Sequence, residues 1–145
     1  MDLNKFFGEP VMATLSSLKP EFPIVEYSKV EDDEFVKFPE QGFYLQSTNN
    51  TSVISQYRIY IKNSEEYFEL AANVNSKYSD ASSIEELQQL LGQPTNAIAS
   101  IRIPGIEPTL PGFKFFDVDA NLTVYAHYDA SGDLVYIHVE QGQVS

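Results

Sequence analysis

Residues 83–94 read SIEELQQLLGQP, and the second half of this stretch has a counterpart near the start of the chain. Residues 87–94 (LQQLLGQP) align without a gap with residues 3–10 (LNKFFGEP). Each copy joins apolar helical positions to a Gly-x-Pro, in which the glycine can end a helix and the proline prevents its continuation. Aromatic-rich strand segments follow both copies. We therefore predict an α+β fold of two similar halves, each a short helix ending in Gly-x-Pro followed by antiparallel strands forming a sheet.

The same alignment predicts the domain organisation. A chain of 145 residues suits a single domain, and we place the first half at residues 1–75 and the second at 76–145. Apolar residues make up 43% of the chain and aromatic residues 13%, which is enough to build a core and argues against global disorder.

The composition also limits the classes of function. With 21 acidic and nine basic residues the net charge is −12, so direct binding to nucleic acid is not expected. An acidic chain attracts basic partners, although acidity also serves solubility alone. The absence of cysteine excludes disulfides and thiolate chemistry. No signal peptide or membrane-spanning run is recognisable, so we expect a cytoplasmic protein that does not bind membranes.

Local patterns place the individual elements. We expect a short helix capped by Asp2 and another after Pro10, and Ser83 with Glu86 forms a capping-box pattern that opens a third. Strands are predicted at residues 53–62, 98–103, 113–118, 122–128 and 134–139, with a loop at 104–112. The acidic run at residues 31–34 is predicted to be a turn or an exposed loop.

The last two predicted strands give the candidate binding surface. If they pair about the DASGD turn at residues 129–133, alternation separates an apolar face from a second face, on which Tyr125 lies near His138 and His127 near Tyr136. Arg58 and Tyr60 of an earlier strand point the same way by the same count. Large amphipathic side chains of this kind suit protein recognition. The alternative is that a helix covers this face and the tyrosines belong to the core.

The sequence suggests two other functions, histidine chemistry and calcium binding, but its residues do not favour either. His127 and His138 suggest acid–base or metal chemistry, but no third ligand or activated nucleophile accompanies them. Asp117, Asp119 and Asn121 copy the first three ligand positions of an EF-hand, yet Leu122 and Tyr128 stand where that loop needs Gly and Glu. A turn explains the Asp and Asn residues better. We predict no catalytic residue, no cofactor and no metal site.

Several of these motifs together resemble a known class of proteins. The helix end LGQP at residues 91–94, the strand at 122–128, the turn at 129–132 and the strand end IHV at 137–139 are similar to patterns in bacterial immunity proteins of polymorphic toxin systems, including bacteriocin and contact-dependent inhibition types. Related motifs recur at 7–10, 42–45 and 59–61. The duplicated layout also resembles tandem-repeat enzyme inhibitors such as the β-lactamase inhibitory protein.

This resemblance implies a non-enzymatic protein that binds a cognate toxin domain and occludes its basic active site, most simply that of a nuclease. The predicted partner-binding residues are the following: Tyr125, His127, Tyr136, His138, Arg58 and Tyr60 as anchors, with Glu31, Asp32, Asp33 and Glu34 supplying the electric field. The alternatives are a small adaptor or regulatory binding module, and an enzyme that uses the two histidines.

Overall fold

One antiparallel sheet of eight strands dominates the fold. The computed structural model describes residues 2–62, 77–106 and 108–141. The strands are β1 (Glu26–Val30), β2 (Asp33–Phe38), β3 (Phe43–Ser47), β4 (Gln56–Tyr60), β5 (Asn96–Ile98), β6 (Gly112–Asp117), β7 (Leu122–Tyr128) and β8 (Leu134–Gln141). Their spatial order is β1-β2-β3-β4-β8-β7-β6-β5, so β4 and β8 join the two groups of strands and β1 and β5 form the edges.

The helices of the described residues pack on one face of this sheet. They are a 3-10 helix (Leu3–Phe6), α1 (Val11–Leu18) and α2 (Ile84–Leu91). Leu3, Val11 and Leu87 are buried in the same cluster as the apolar side chains of the central strands. The strand residues on this core face include Val36, Phe38, Phe43, Leu45, Tyr57, Ile59, Phe115, Val124, Ala126, Ile137 and Val139. No helix in the part of the chain that the structure describes is long and apolar enough to cross a membrane.

Local sequence signals explain where α2 begins and ends. The Ser83 hydroxyl accepts a hydrogen bond from the Glu86 amide, which satisfies one of the free donors of the first turn. The Glu86 carboxylate reaches back to the backbone amide of Ser82 instead of Ser83, so the predicted capping box is displaced by one residue. Gly92 follows the last helical residue with a φ of 84°, which favours glycine and ends the helix.

The prediction of two similar helix-plus-sheet halves is wrong. All eight strands belong to one sheet, and the two Gly-x-Pro copies occupy different structural positions. Gly92 ends α2, whereas Gly8 follows a single 3-10 turn and Pro10 precedes α1 as its N-terminal cap. The physical reason is that Gly-x-Pro only interrupts a helix, and a proline is equally suited to stand at the start of the next one.

The strand predictions differ in how well they match the structure. The hairpin at the C-terminus is confirmed, since β7 pairs with β8 and the register joins Tyr125 to His138 and His127 to Tyr136. The strand predicted at residues 98–103 is wrong, because β5 ends at Ile98 and an irregular loop with three prolines follows. The sequence also predicts a connection between the halves at residues 73–81, and of this stretch residues 73–76 lie outside the described residues.

Candidate functional site

The face of the sheet opposite the core carries aromatic and basic side chains, and we call it the aromatic face. It consists of Tyr44, Arg58, Tyr60, Tyr125, His127, Tyr136 and His138. Strand register aligns these residues in two rows, because side chains of paired residues on neighbouring strands lie side by side. One row runs from Tyr44 through Arg58 and His138 to Tyr125. The other runs from Tyr60 through Tyr136 to His127.

Arg58 is held at the centre of the aromatic face. Its guanidinium carbon lies 4.0 Å from the centroid of the Tyr136 ring and 5.4 Å from that of Tyr44. These distances are within the range in which a cation is attracted to the face of an aromatic ring. The Nε group of Arg58 also donates a hydrogen bond of 3.2 Å to Nδ1 of His138. The cation is therefore fixed in one orientation before any partner binds.

His138 is buried beneath this arrangement and kept neutral. Its Nδ1 accepts from Arg58, so its proton is on Nε2, which donates to Oε1 of Gln56 at 2.6 Å. Burial lowers the pKa of His138 to about 3, with further contributions from the positive charge of Arg58 and from His127 when that ring is protonated. Both ring nitrogens are thus engaged within the protein, and the neutral ring orients Arg58.

His127 lies at the end of the second row and also has a structural partner. Its ring stacks on that of Tyr136 with the centroids 4.7 Å apart. Nδ1 donates to the carbonyl oxygen of Leu110, 3.1 Å away. Burial lowers the pKa of His127, and the charge of Arg58 acts in the same direction, although the hydrogen bond to Leu110 opposes them. At neutral pH both histidines on this face are uncharged.

The described helices do not cover the aromatic face, but the face is far from fully exposed. Tyr44, Tyr60 and His138 are each less than a tenth exposed, while Arg58, Tyr125, His127 and Tyr136 are half-buried. Of the predicted contact residues, Tyr60 and His138 are thus too buried for broad contact, and they support their neighbours instead. The accessible members of the aromatic face are Arg58, Tyr125, His127 and Tyr136.

The prediction of a turn or an exposed loop at residues 31–34 is wrong for half of the run. Glu31 and Asp32 form the turn, but Asp33 and Glu34 belong to β2. Glu34 is buried and accepts a hydrogen bond of 2.6 Å from the hydroxyl of Tyr27 on β1. A carboxylate tolerates this strand position because the tyrosine donor compensates for its burial.

Asp32 and Asp33 of this run also have partners in the fold. Asp33 accepts from the Gln46 side chain and from the amide of Asn49, and Asp32 accepts from the Asn50 side chain. The β1–β2 turn is thereby tied to the loop that follows β3. Exposed negative charge remains at Glu31 and Asp32, so only these two residues of the run contribute strongly to the external field.

An ionic cluster around the buried Asp117 is not predicted from the sequence. Asp117 of β6 accepts a hydrogen bond of 2.6 Å from the hydroxyl of Tyr78 and pairs with Nζ of Lys77 at 2.9 Å. Burial alone would raise the pKa of Asp117, but the hydrogen bonds from Tyr78 and Lys77 outweigh it and the pKa is lowered. The partners are about 40 positions away in sequence, so no local pattern could reveal them.

These contacts bear on the EF-hand-like spacing. Asp117 faces Tyr78 and Lys77, while Asn121 adopts a φ of 54° in the turn between β6 and β7. Asparagine tolerates this conformation better than most residues. Within residues 2–62, 77–106 and 108–141, no group of three or more histidine or acidic side chains is placed to hold a metal ion.

Comparisons with known proteins add little to this description. No family model matches the chain, and no curated protein matches it by sequence. The solved structure of a cysteine-rich secretory protein from Staphylococcus aureus subsp. aureus Mu50 is similar with a TM-score of 0.46 and 6% sequence identity. The match covers 96% of this chain and 46% of that one, so this chain spans less than half of that protein's length. A similarity at this level supports no functional conclusion.

Proposed function

We propose that this protein is an immunity-type inhibitor, which binds a basic toxin domain in the cytoplasm and blocks its active surface. The observation that carries the proposal is the fixed position of Arg58 between Tyr44 and Tyr136, with His138 holding its Nε group. Arginine and tyrosine are the side chains that most often dominate the energy of protein interfaces. Side chains that are already ordered lose little conformational entropy when a partner binds.

The net charge supports a basic partner. At −12, the chain creates a negative potential that accelerates its encounter with a positively charged protein. A nuclease fits this description because its nucleic-acid-binding surface is basic. Inhibition then requires only that the bound protein cover that surface, and no chemical step is involved.

The contacts of the two histidines favour binding over catalysis. His138 uses both ring nitrogens within the protein, and Nδ1 of His127 is bound to Leu110. A general base needs an accessible nitrogen with a pKa near the working pH, whereas burial lowers the pKa of both rings. The adaptor alternative differs from inhibition in its outcome, since an adaptor binds without blocking activity.

Substitution on the aromatic face tests the proposal. Calorimetric titration of the wild-type protein against the purified toxin domain encoded by the reading frame immediately upstream is expected to give tight binding. Arg58→Ala and Tyr136→Ala should each weaken it about tenfold or more, equivalent to about 1.4 kcal/mol, because each removes one side of the stacked pair.

The matched control is Met12→Ala, which truncates a side chain that is 51% exposed on α1, away from the aromatic face. This variant should bind like the wild type, and melting curves of all variants establish that they are folded. No binding by the wild type, or equal binding by all four proteins, would contradict the proposal.

A further inference from the structure

The described residues between β5 and β6, 99–106 and 108–111, display isoleucines around a tight turn, and we call them the isoleucine loop. Its tip is a β-turn in which the amide of Ile106 donates to the carbonyl of Ile103 at 3.1 Å. Pro104 and Gly105 are the central residues, and Gly105 has a φ of 83°. Proline followed by glycine at positive φ is the pattern of a type II turn, so the tip has a strongly preferred shape.

A second set of hydrogen bonds closes the loop below its tip. The amide of Ile101 donates to the hydroxyl of Thr109 at 2.8 Å, and the amide of Thr109 donates to the carbonyl of Ile101 at 3.0 Å. Ser100 also donates to the Thr109 carbonyl through its hydroxyl. These hydrogen bonds join the two arms of the loop near Ile101 and Thr109.

The isoleucines of this loop are exposed, unlike those of the sheet. Ile101, Ile103 and Ile106 are 59%, 53% and 64% exposed, whereas Ile59 and Ile137 are fully buried. Single exposed apolar residues are ordinary, but three within six positions on a pre-shaped loop form a patch, and apolar patches mark interaction sites.

The base of the loop is continuous with the aromatic face. The Leu110 carbonyl accepts from Nδ1 of His127, and the Pro111 carbonyl accepts from the amide of Tyr128 at 3.1 Å. His127 in turn stacks on Tyr136 beside Arg58. A partner seated on the accessible part of the aromatic face therefore lies next to the base of the isoleucine loop.

We propose that the isoleucine loop is the apolar anchor of this interface and inserts into an apolar pocket of the basic partner protein. The inference rests on the proposed function and adds to it the chemistry of the partner: an apolar pocket with a basic rim. Among the described residues of the loop Arg102 is the one charged side chain, but two acids of the β7–β8 turn, Asp129 and Asp133, stand at the same end of the sheet and share the single cation of Lys62, so that turn keeps a net negative charge. Those acids match the rim, and the isoleucines match the pocket.

Charge argues against two other occupants. A second copy of this chain would bring another net charge of −12 to the contact, and an anionic membrane surface would repel the protein in the same way. A basic protein is instead attracted by the negative net charge that repels a second copy or an anionic membrane. The exposed tip can then bury its apolar side chains without electrostatic penalty.

The test is a kinetic binding measurement with the upstream-encoded toxin domain as the probe. The double variant Ile103→Ser with Ile106→Ser keeps Pro104 and Gly105, so the turn is preserved while the apolar surface is removed. We expect its Kd to rise at least tenfold, mainly through faster dissociation. The control Val118→Ser removes a side chain that is 77% exposed at the opposite end of β6, and its Kd should stay within twofold of the wild type.

Each outcome decides the inference. An unchanged Kd for the double variant, with tight wild-type binding, overturns the role of the loop and leaves the proposed function intact. Absence of wild-type binding overturns both. In parallel arms, binding to phosphatidylglycerol or phosphatidylcholine vesicles, or self-association in sedimentation, that disappears in the double variant would assign the loop to a membrane or to a second copy and would overturn the inference.

Discussion

Gly112→Ala is expected to lower the free energy of unfolding by about 3 kcal/mol, the upper part of the range for overpacking. A Cβ atom at Gly112 would lie 2.3 Å from the backbone oxygen of Ala126 and 3.0 Å from Nδ1 of His127. The first neighbour is part of the β7 backbone and cannot move aside without disturbing the pairing of β6 with β7. Urea denaturation of the two proteins measures the difference.

The matched control is Gly132→Ala. Gly132 has a φ of 84° but its added Cβ would meet nothing within 4 Å, so only backbone strain of about 1 kcal/mol is expected. Equal losses at the two glycines would mean that steric exclusion at Gly112 is unimportant, in contradiction to the close β6–β7 packing. Because Gly112 also joins the isoleucine loop to β6, its substitution should disturb the His127–Leu110 contact as well.

The second large effect is expected from Asp117→Ala, which should also cost about 3 kcal/mol. The hydroxyl of Tyr78, a fully buried residue, would lose its acceptor. Lys77 is exposed and can return to water, so most of the loss should come from the tyrosine. Asp119→Ala, two residues away at an exposed position, should change stability by less than about 0.5 kcal/mol.

The stabilisation by Asp117 should depend on pH in a defined direction. The pKa of Asp117 is lowered below its ordinary value of 3.8, so its contribution is complete above pH 3.8 and is lost as the pH falls through the lowered pKa. The stability difference between wild type and Asp117→Asn, measured by urea denaturation, should therefore be largest near neutral pH and shrink below pH 3.8. A difference that grows on acidification would contradict the ionised state of Asp117.

The alternation of side chains along the strands was sufficient to predict the central part of the aromatic face. The positions of β7 and β8, the register of their hairpin and the placement of Arg58 and Tyr60 with the histidines all follow from a period of two residues. The hairpin is a local feature, and Arg58 and Tyr60 follow the same alternation on another strand of the sheet. Both can therefore be predicted without information about distant contacts. Whether this face binds a partner remains a prediction.

The errors arose where distant partners decide the structure. The repeated Gly-x-Pro suggested two similar halves, but such a motif specifies only a break, and pairing of β4 with β8 builds one sheet. The acidic run was assigned to a turn because four acids are unfavourable in a strand, yet Tyr27 of β1 compensates for the burial of Glu34. The Asp117–Tyr78 contact and the shape of the isoleucine loop were likewise hidden, since both depend on contacts between separate segments.

The fold connects these features to function through the rigidity of the sheet. The core face, with its helices, fixes the strands, and the strands in turn align Arg58, Tyr136 and His127 on the other side. The base of the isoleucine loop contacts one of these side chains, because the Leu110 carbonyl accepts a hydrogen bond from His127. The inhibitor that we propose would present a prepared surface to its target and lose little conformational entropy on binding.

The most direct test is a titration of the catalytic activity of the upstream-encoded toxin domain with this protein. The activity is expected to fall linearly to zero at one equivalent of wild-type protein, while Arg58→Ala should require an excess. Undiminished activity in the presence of excess wild-type protein would contradict inhibition, and undiminished activity despite measured binding would instead identify an adaptor.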